Sequence, residues 1–98
     1  MALTNTQIRF LRARAHSLKP VVLLGSQGLT EAVLNAIDEA LEHHELIKVK
    51  VRAETRDDKQ AIIDAIVEAT GAEKIQVVGH NLTLYRAAKN PRLLLPRG

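Results

Sequence analysis

Gly25-Ser26-Gln27-Gly28 is the stretch of this chain whose residue types and spacing best suit a defined chemistry, the holding of a phosphate. Two glycines bracket two uncharged polar residues, so the backbone can turn tightly with no Cβ in the way. The loop follows the apolar run Val21-Val22-Leu23-Leu24 and leads into a helix starting near Thr30. The first amides of a helix lack internal partners and sit at its positive dipole end. A phosphate placed there meets free N–H groups and a favourable field. Loops of the GxxG type clamp a nucleic-acid backbone by this logic. By itself the pattern is equally an ordinary turn before a helix. It is neither the GxxxxGK[ST] loop of nucleotide hydrolases nor the GxGxxG dinucleotide fingerprint.

Other chemistries find little support. Ser26 lies in a strand-to-helix turn, but a nucleophile elbow places its glycines two residues to either side of the serine, and Gly25 is adjacent. No acid-plus-histidine pair accompanies it. His43 and His44 are neighbours on a helix end, where their side chains diverge by about 100°. His80 falls in a turn, and His16 lies among basic residues. The chain has no cysteine, hence no disulfide framework and no thiolate ligand or nucleophile. The expectation is a protein that is not an enzyme, with no cofactor and no metal. Phe10 and Tyr85 are the only aromatic side chains, too few to stack successive bases. A nucleic-acid partner would be read through its backbone and shape, with limited sequence preference.

Charge is segregated along the chain, whose formal net charge is +3. Residues 1–30 carry Arg9, Arg12, Arg14 and Lys19 and no acid. Residues 31–45 carry Glu31, Asp38, Glu39, Glu42 and Glu45 and no lysine or arginine. Residues 86–98 carry Arg86, Lys89, Arg92 and Arg97 and again no acid. Such separation suits one surface that meets a polyanion and another that stays in solvent. The acid-free first third also has the composition of an organellar transit peptide, but it reads straight into the first strand and is taken as a folded helix. No apolar run reaches membrane-spanning length, and the lack of cysteine fits a reducing compartment. The expected location is the cytoplasm.

The elements that must position the loop follow from periodicity. Thr4 caps a first helix, with Gln7 as its capping-box partner. Ile8, Leu11, Ala15 and Leu18 form its buried stripe, and Arg9, Arg12, His16 and Lys19 a basic stripe beside it. Pro20 ends the element. Val21–Leu24 is a continuous apolar run, predicted to be a strand covered on both faces. A second helix runs from about Thr30 to His43, with Leu29 and Leu34 stapling its start. Leu46–Arg52 alternates, with Ile47, Val49 and Val51 on one face and Lys48, Lys50 and Arg52 on the other. Asp57 caps a third helix, with Gln60 as box partner, and Gly71 stops it. Ile75–Val78 and Leu82–Tyr85 flank Gly79-His80-Asn81 as a hairpin. Residues 91–98 read as a basic tail with little structure of its own, and residues 1–90 as a single domain. The chain is 46% hydrophobic, enough for one modest core. The order α-β-α-β-α-β-β predicts a compact α/β sandwich around a four-stranded mixed sheet, with parallel pairing through crossover helices.

Three blocks in this order resemble a known family. Residues 20–30 (PVVLLGSQGLT), 44–50 (HELIKVK), and then Val77-Val78-Gly79 with Leu84-Tyr85-Arg86 are similar to the CRM domain, named for chloroplast RNA splicing and ribosome maturation. A single copy of this length resembles the bacterial YhbY-type proteins, and the likeness covers roughly residues 3–88. The resemblance implies a fold similar to the C-terminal domain of translation initiation factor 3, and RNA contact through the GxxG loop and nearby basic residues. Bacterial members are linked to the precursor of the large ribosomal subunit, and plant members to group II intron splicing. Many relatives carry a basic residue just inside the loop, where this chain has Ser26. The loop then offers amides and hydroxyl donors, and charge must come from elsewhere.

The expected RNA-binding residues are therefore Gly25, Ser26, Gln27 and Gly28 of the loop, Arg9, Arg12 and Lys19 of the first helix and its exit, and Lys48, Lys50 and Arg52 of the second strand. The expected partner is rRNA of the large-subunit precursor, with no membrane and no small-molecule substrate; the oligomeric state stays open. Two alternatives stand beside this reading. One is a protein-interaction module on the ribosome that uses the acidic face of the second helix. The other is a small enzyme acting on a phosphate-bearing ligand.

Overall fold

Thr4 opens the first helix as expected. Its hydroxyl accepts from the Gln7 amide at 3.1 Å, and the Gln7 side chain accepts from the Thr4 amide at 3.0 Å. The computed structural model describes residues 3–25 and 28–97. It contains α1 (Asn5–Ala15), β1 (Pro20–Leu23), α2 (Glu31–His44), β2 (Leu46–Lys50), α3 (Arg56–Thr70), β3 (Glu73–Val78) and β4 (Asn81–Tyr85). The order of elements and the four-stranded mixed sheet agree with the sequence. α1 ends at Ala15, earlier than Pro20 alone dictates, so Leu18 lies outside the helix and is 36% exposed.

The third helix corrects its expected cap. Thr55, not Asp57, is the N-cap, in extended backbone, and its hydroxyl accepts from the Asp58 amide at 3.0 Å. Asp57 and Asp58 then fall in the first turn, where carboxylates complement the helix dipole. A threonine followed three residues later by an acid is the stronger signature, because it satisfies an amide while keeping the charge in the turn. Gly71 closes the helix in the left-handed conformation at φ 71°.

The sheet order is β1-β2-β4-β3. β1 and β2 are parallel, while β4 is antiparallel to both β2 and β3. Parallel pairing between sequential strands thus holds only for β1 and β2. The final hairpin slots β4 between β2 and β3, so those two run the same way without touching. α2 and α3 pack on one face, over Leu24, Ile47, Val49, Leu82 and Leu84, with Ile37, Leu41, Ile63 and Ile66 from the helices. α1 packs on the other face over β2, β3 and β4, joining Leu11 and Ala15 to Leu46, Ile75 and Tyr85.

This arrangement overturns the expectation for β1. It is an edge strand, and Val21 and Leu23 are 51% and 64% exposed. Its alternate residues Val22 and Leu24 face the α2–α3 core. A wholly apolar run looks the same in sequence whether one or both faces are covered; α1 lies over the other three strands instead.

Among the described residues, the chain after β4 has no regular element but is anchored. Glu45 ends α2 with a positive φ of 64° and is 1% exposed. Its carboxylate accepts from the backbone amides of Arg92 at 2.7 Å, Leu93 at 2.9 Å and Ala88 at 3.2 Å. Leu93 and Leu95 then pack under α1. Read from sequence, Glu45 is one more acid on a solvated helix face; it is the buried tether of the C-terminal segment.

Candidate nucleic-acid interface

Two strand ends and two helix starts meet at one edge of the sheet. β1 runs out at Leu23 toward Gly25, and β2 runs out at Lys50 toward Arg52. From there the chain enters α2 through Thr30 and α3 through Thr55. In sheets with parallel strands, ligands gather at the carboxyl ends of the strands, where helix N-termini converge. A cleft of about 1030 Å³ opens at this edge, lined by Gly25, Gly28, Lys50 and Arg52 together with Leu23, Leu24, Ile62, Glu54 and Asp58.

The loop itself is tight. The Gly28 amide donates to the Gly25 carbonyl at 3.0 Å, and Gly28 has φ +74°. A Cβ at Gly25 would meet nothing within 4 Å. Gly25 is therefore not required by crowding within the protein, whereas Gly28 is held by its backbone conformation. Thr30 caps α2 by accepting from the Val33 amide at 3.2 Å. Ser26 and Gln27 lie outside the described residues.

The basic residues expected from sequence fall into two groups on one side of the sheet. Lys50 and Arg52 line the cleft with the two glycines. Lys48 stands two residues back along β2 and is half-buried. Because strand side chains alternate, Lys48, Lys50 and Arg52 project to the side that carries Leu46, which is the side of α1. Arg9, Arg12 and Lys19 are exposed on α1 and its exit. Lys19 precedes β1, while Gly25 follows it, so about 20 Å of extended chain separates them. Lys19 lines a second cleft of about 410 Å³ with Arg14, His44 and the apolar Leu18, Val21 and Leu93. The structure thus brings Lys50 and Arg52 together with the two glycines in one cleft, while Arg9, Arg12, Lys19 and Lys48 lie outside its lining. Among the described residues none of these six cations has a carboxylate partner; the ion pairs are those of Arg86 with Asp38 at 2.6 Å and Glu42 at 3.9 Å.

The surroundings of the loop are not acid-free in space, although residues 1–30 carry no acid. Glu31 begins α2 directly after the cap, and Glu54 and Asp58 line the cleft from β2's exit and α3. These two cleft carboxylates were not among the expected site residues. The Thr55 cap signature was the available signal, since it puts the start of α3 beside the end of β2.

The acidic face of α2 is partly taken up within the molecule. Arg86 bridges Asp38 and also donates to the Thr70 carbonyl at 2.7 Å. The Lys89 amide donates to Glu42 at 2.9 Å, and the Arg92 guanidinium donates to the Glu42 and His43 carbonyls. Burial pushes the Glu45 carboxyl up, but the amides of Arg92, Leu93 and Ala88 and the charge of Arg92 outweigh it and hold it below its ordinary value. Burial raises Tyr85, with the Glu45 charge adding to it. No helix of the described residues is long and apolar enough to cross a membrane.

Known proteins share this architecture. The family model of the CRS1/YhbY (CRM) domain matches residues 3–86. A Haemophilus influenzae protein named "RNA-binding protein" is 53% identical over 95 residues, covering 97% of this chain and 96% of its own. Probable RNA-binding proteins of Pseudomonas aeruginosa and Bacillus subtilis are 40% and 38% identical, covering 94% and 96% of this chain and 86% and 99% of their own. The solution structure of a hypothetical Staphylococcus aureus protein, described as a candidate RNA binder, superposes with a TM-score of 0.81 at 40% identity, covering 97% of this chain and all of its own.

Proposed function

Because the chain belongs to the CRS1/YhbY (CRM) domain family, we propose that it binds RNA through the Gly25–Gly28 loop and the basic side formed by α1 and β2, as a factor in assembly of the large ribosomal subunit. The observation that carries the reading is the meeting of Gly25, Gly28, Lys50 and Arg52 around one cleft. A phosphate at the loop meets backbone amides and the start of α2, with two cations within the same cleft. Arg9, Arg12, Lys19 and Lys48 extend the positive surface along the same side of the sheet. The names of the relatives support RNA as the polyanion.

Salt dependence tests the electrostatic part. With about five phosphates engaged on a single strand, log K against log[salt] falls with a slope near −3.5. A slope near zero removes the polyanion. The ribosomal part is tested by sedimentation of native lysate through sucrose with and without RNase. Co-sedimentation with the large-subunit precursor that RNase abolishes is the expected result. A protein confined to the free fraction in low salt removes the assembly role.

A further inference from the structure

The cleft contains more than a phosphate needs. Leu23, Leu24 and Ile62 give it an apolar lining, and Glu54 and Asp58 stand beside Lys50 and Arg52. Leu23 is 64% exposed although it is a large aliphatic side chain. Glu54 and Asp58 are both exposed, and a carboxylate beside a phosphate weakens the hold on it unless the carboxylate engages a ligand group of its own. Asp58 also serves the first turn of α3, but Glu54 precedes the cap, and among the described residues its side chain has no hydrogen bond or ion pair. A carboxylate only accepts hydrogen bonds. Of the four bases, guanine alone presents two adjacent donors, N1–H and N2–H, that match the two oxygens of one carboxylate. That edge is free only in unpaired RNA.

We propose that the cleft takes an unpaired guanine adjoining the phosphate on the Gly25–Gly28 loop, with its ring against Leu23 and Ile62 and its Watson–Crick edge on Glu54 or Asp58. The inference rests on the RNA-binding reading above and replaces a purely backbone-directed mode with a base preference at one position. Lys50 and Arg52 neutralise the flanking phosphates, and the acids select the base between them.

Fluorescence anisotropy with the full chain tests this, using equal-length single strands: all uridine, uridine with one central guanosine, and the same with inosine, which lacks the 2-amino group. The expected result is roughly tenfold tighter binding of the guanosine strand, the size of one bidentate pair, with inosine in between. The double variant Glu54→Gln, Asp58→Asn loses that preference while binding the uridine strand as well or better, since it is less negative. Thermal melts of the variant confirm that α3 remains folded. Equal binding of guanosine and uridine strands by the natural chain overturns the guanine site while leaving phosphate binding intact. So does a preference that survives the double variant. Failure to bind any strand or a duplex overturns both readings.

Discussion

Gly25 and Gly28 look alike in sequence and differ in what holds them. Gly28 sits at φ +74°, so Gly28→Ala is expected to lose about 1 kcal/mol or more of stability. A Cβ at Gly25 meets open space and no left-handed backbone, so Gly25→Ala should stay within about 0.5 kcal/mol. Any loss of RNA affinity in Gly25→Ala then reports contact with the ligand; urea melts and binding titrations on the same preparations separate the two effects. Glu45 is the other residue whose role is local and exacting. Oε1 accepts two amides and Oε2 one, so Glu45→Gln turns an NH₂ group toward a donor it cannot accept from. The expected loss is roughly 1–3 kcal/mol near neutral pH. Its folded carboxyl lies below the unfolded value, so its contribution is present above the ordinary 4.5 and is lost as pH falls through the lower, folded value. Urea midpoints for the natural chain and Glu45→Gln should therefore converge as the pH is lowered from neutrality past the ordinary 4.5 and through the lower, folded value. A gap that stays constant would mean the carboxylate charge is not what anchors the tail.

At the scale of elements, β2 carries both the core and the proposed interface. Ile47, Val49 and Val51 bury against α2 and α3, while Lys48, Lys50 and Arg52 take the opposite side. Replacing Lys50 and Arg52 together by alanine removes cations without touching the buried row. Stability should change little, and the salt slope of RNA binding should become shallower by about 1.4, or about 0.7 per lost phosphate contact on a single strand. An unchanged slope would take β2 out of the interface. α3 contributes through its start. Thr55→Ala leaves the Asp58 amide without its cap and is expected to cost about 1 kcal/mol. It loosens the turn that holds Glu54 and Asp58, so it should weaken any base preference more than overall affinity.

For the whole molecule, the segment after β4 joins the two faces of the sheet. Arg86 ties the acidic side of α2 to the end of α3 through Asp38 and the Thr70 carbonyl. Farther on, Leu93 and Leu95 complete the cluster under α1, and the Gln7 side chain donates to the Pro96 carbonyl at 3.1 Å. Ending the chain after Arg86 uncovers Leu46 and Tyr85 and strands the Glu45 carboxylate. Losing the burial of Leu93 and Leu95 and the three amide bonds together should cost several kcal/mol, seen as a large fall in thermal midpoint. A melt equal to that of the full chain would show that the docked tail contributes nothing to the fold. The same contacts draw Arg86 and Arg92 into the interior balance of charge, so the basic character of residues 86–98 counts less toward the surface than composition implies.

The local elements and their order were written in the sequence because each depends on neighbours along the chain. Thr4 with Gln7, Thr30 before an amphipathic run, and Gly71 after one all set helix ends through contacts three or four residues long. The alternation from Ile47 to Arg52 likewise fixed which residues point to the core. The glycine loop and its family pattern were visible for the same reason. Long-range choices were not. The hairpin placed β4 between β2 and β3, which left β1 at an edge and exposed Val21 and Leu23. Glu45 became a buried tether only because amides more than forty residues away converge on it. Glu54 and Asp58 joined Gly25 and Gly28 in one cleft only because parallel β1 and β2 end at the same edge of the sheet. Local hydrogen-bonding preferences act through the chain, whereas strand order and convergence in space are settled by which surfaces bury together, and one sequence states the first directly and the second only through its folded form.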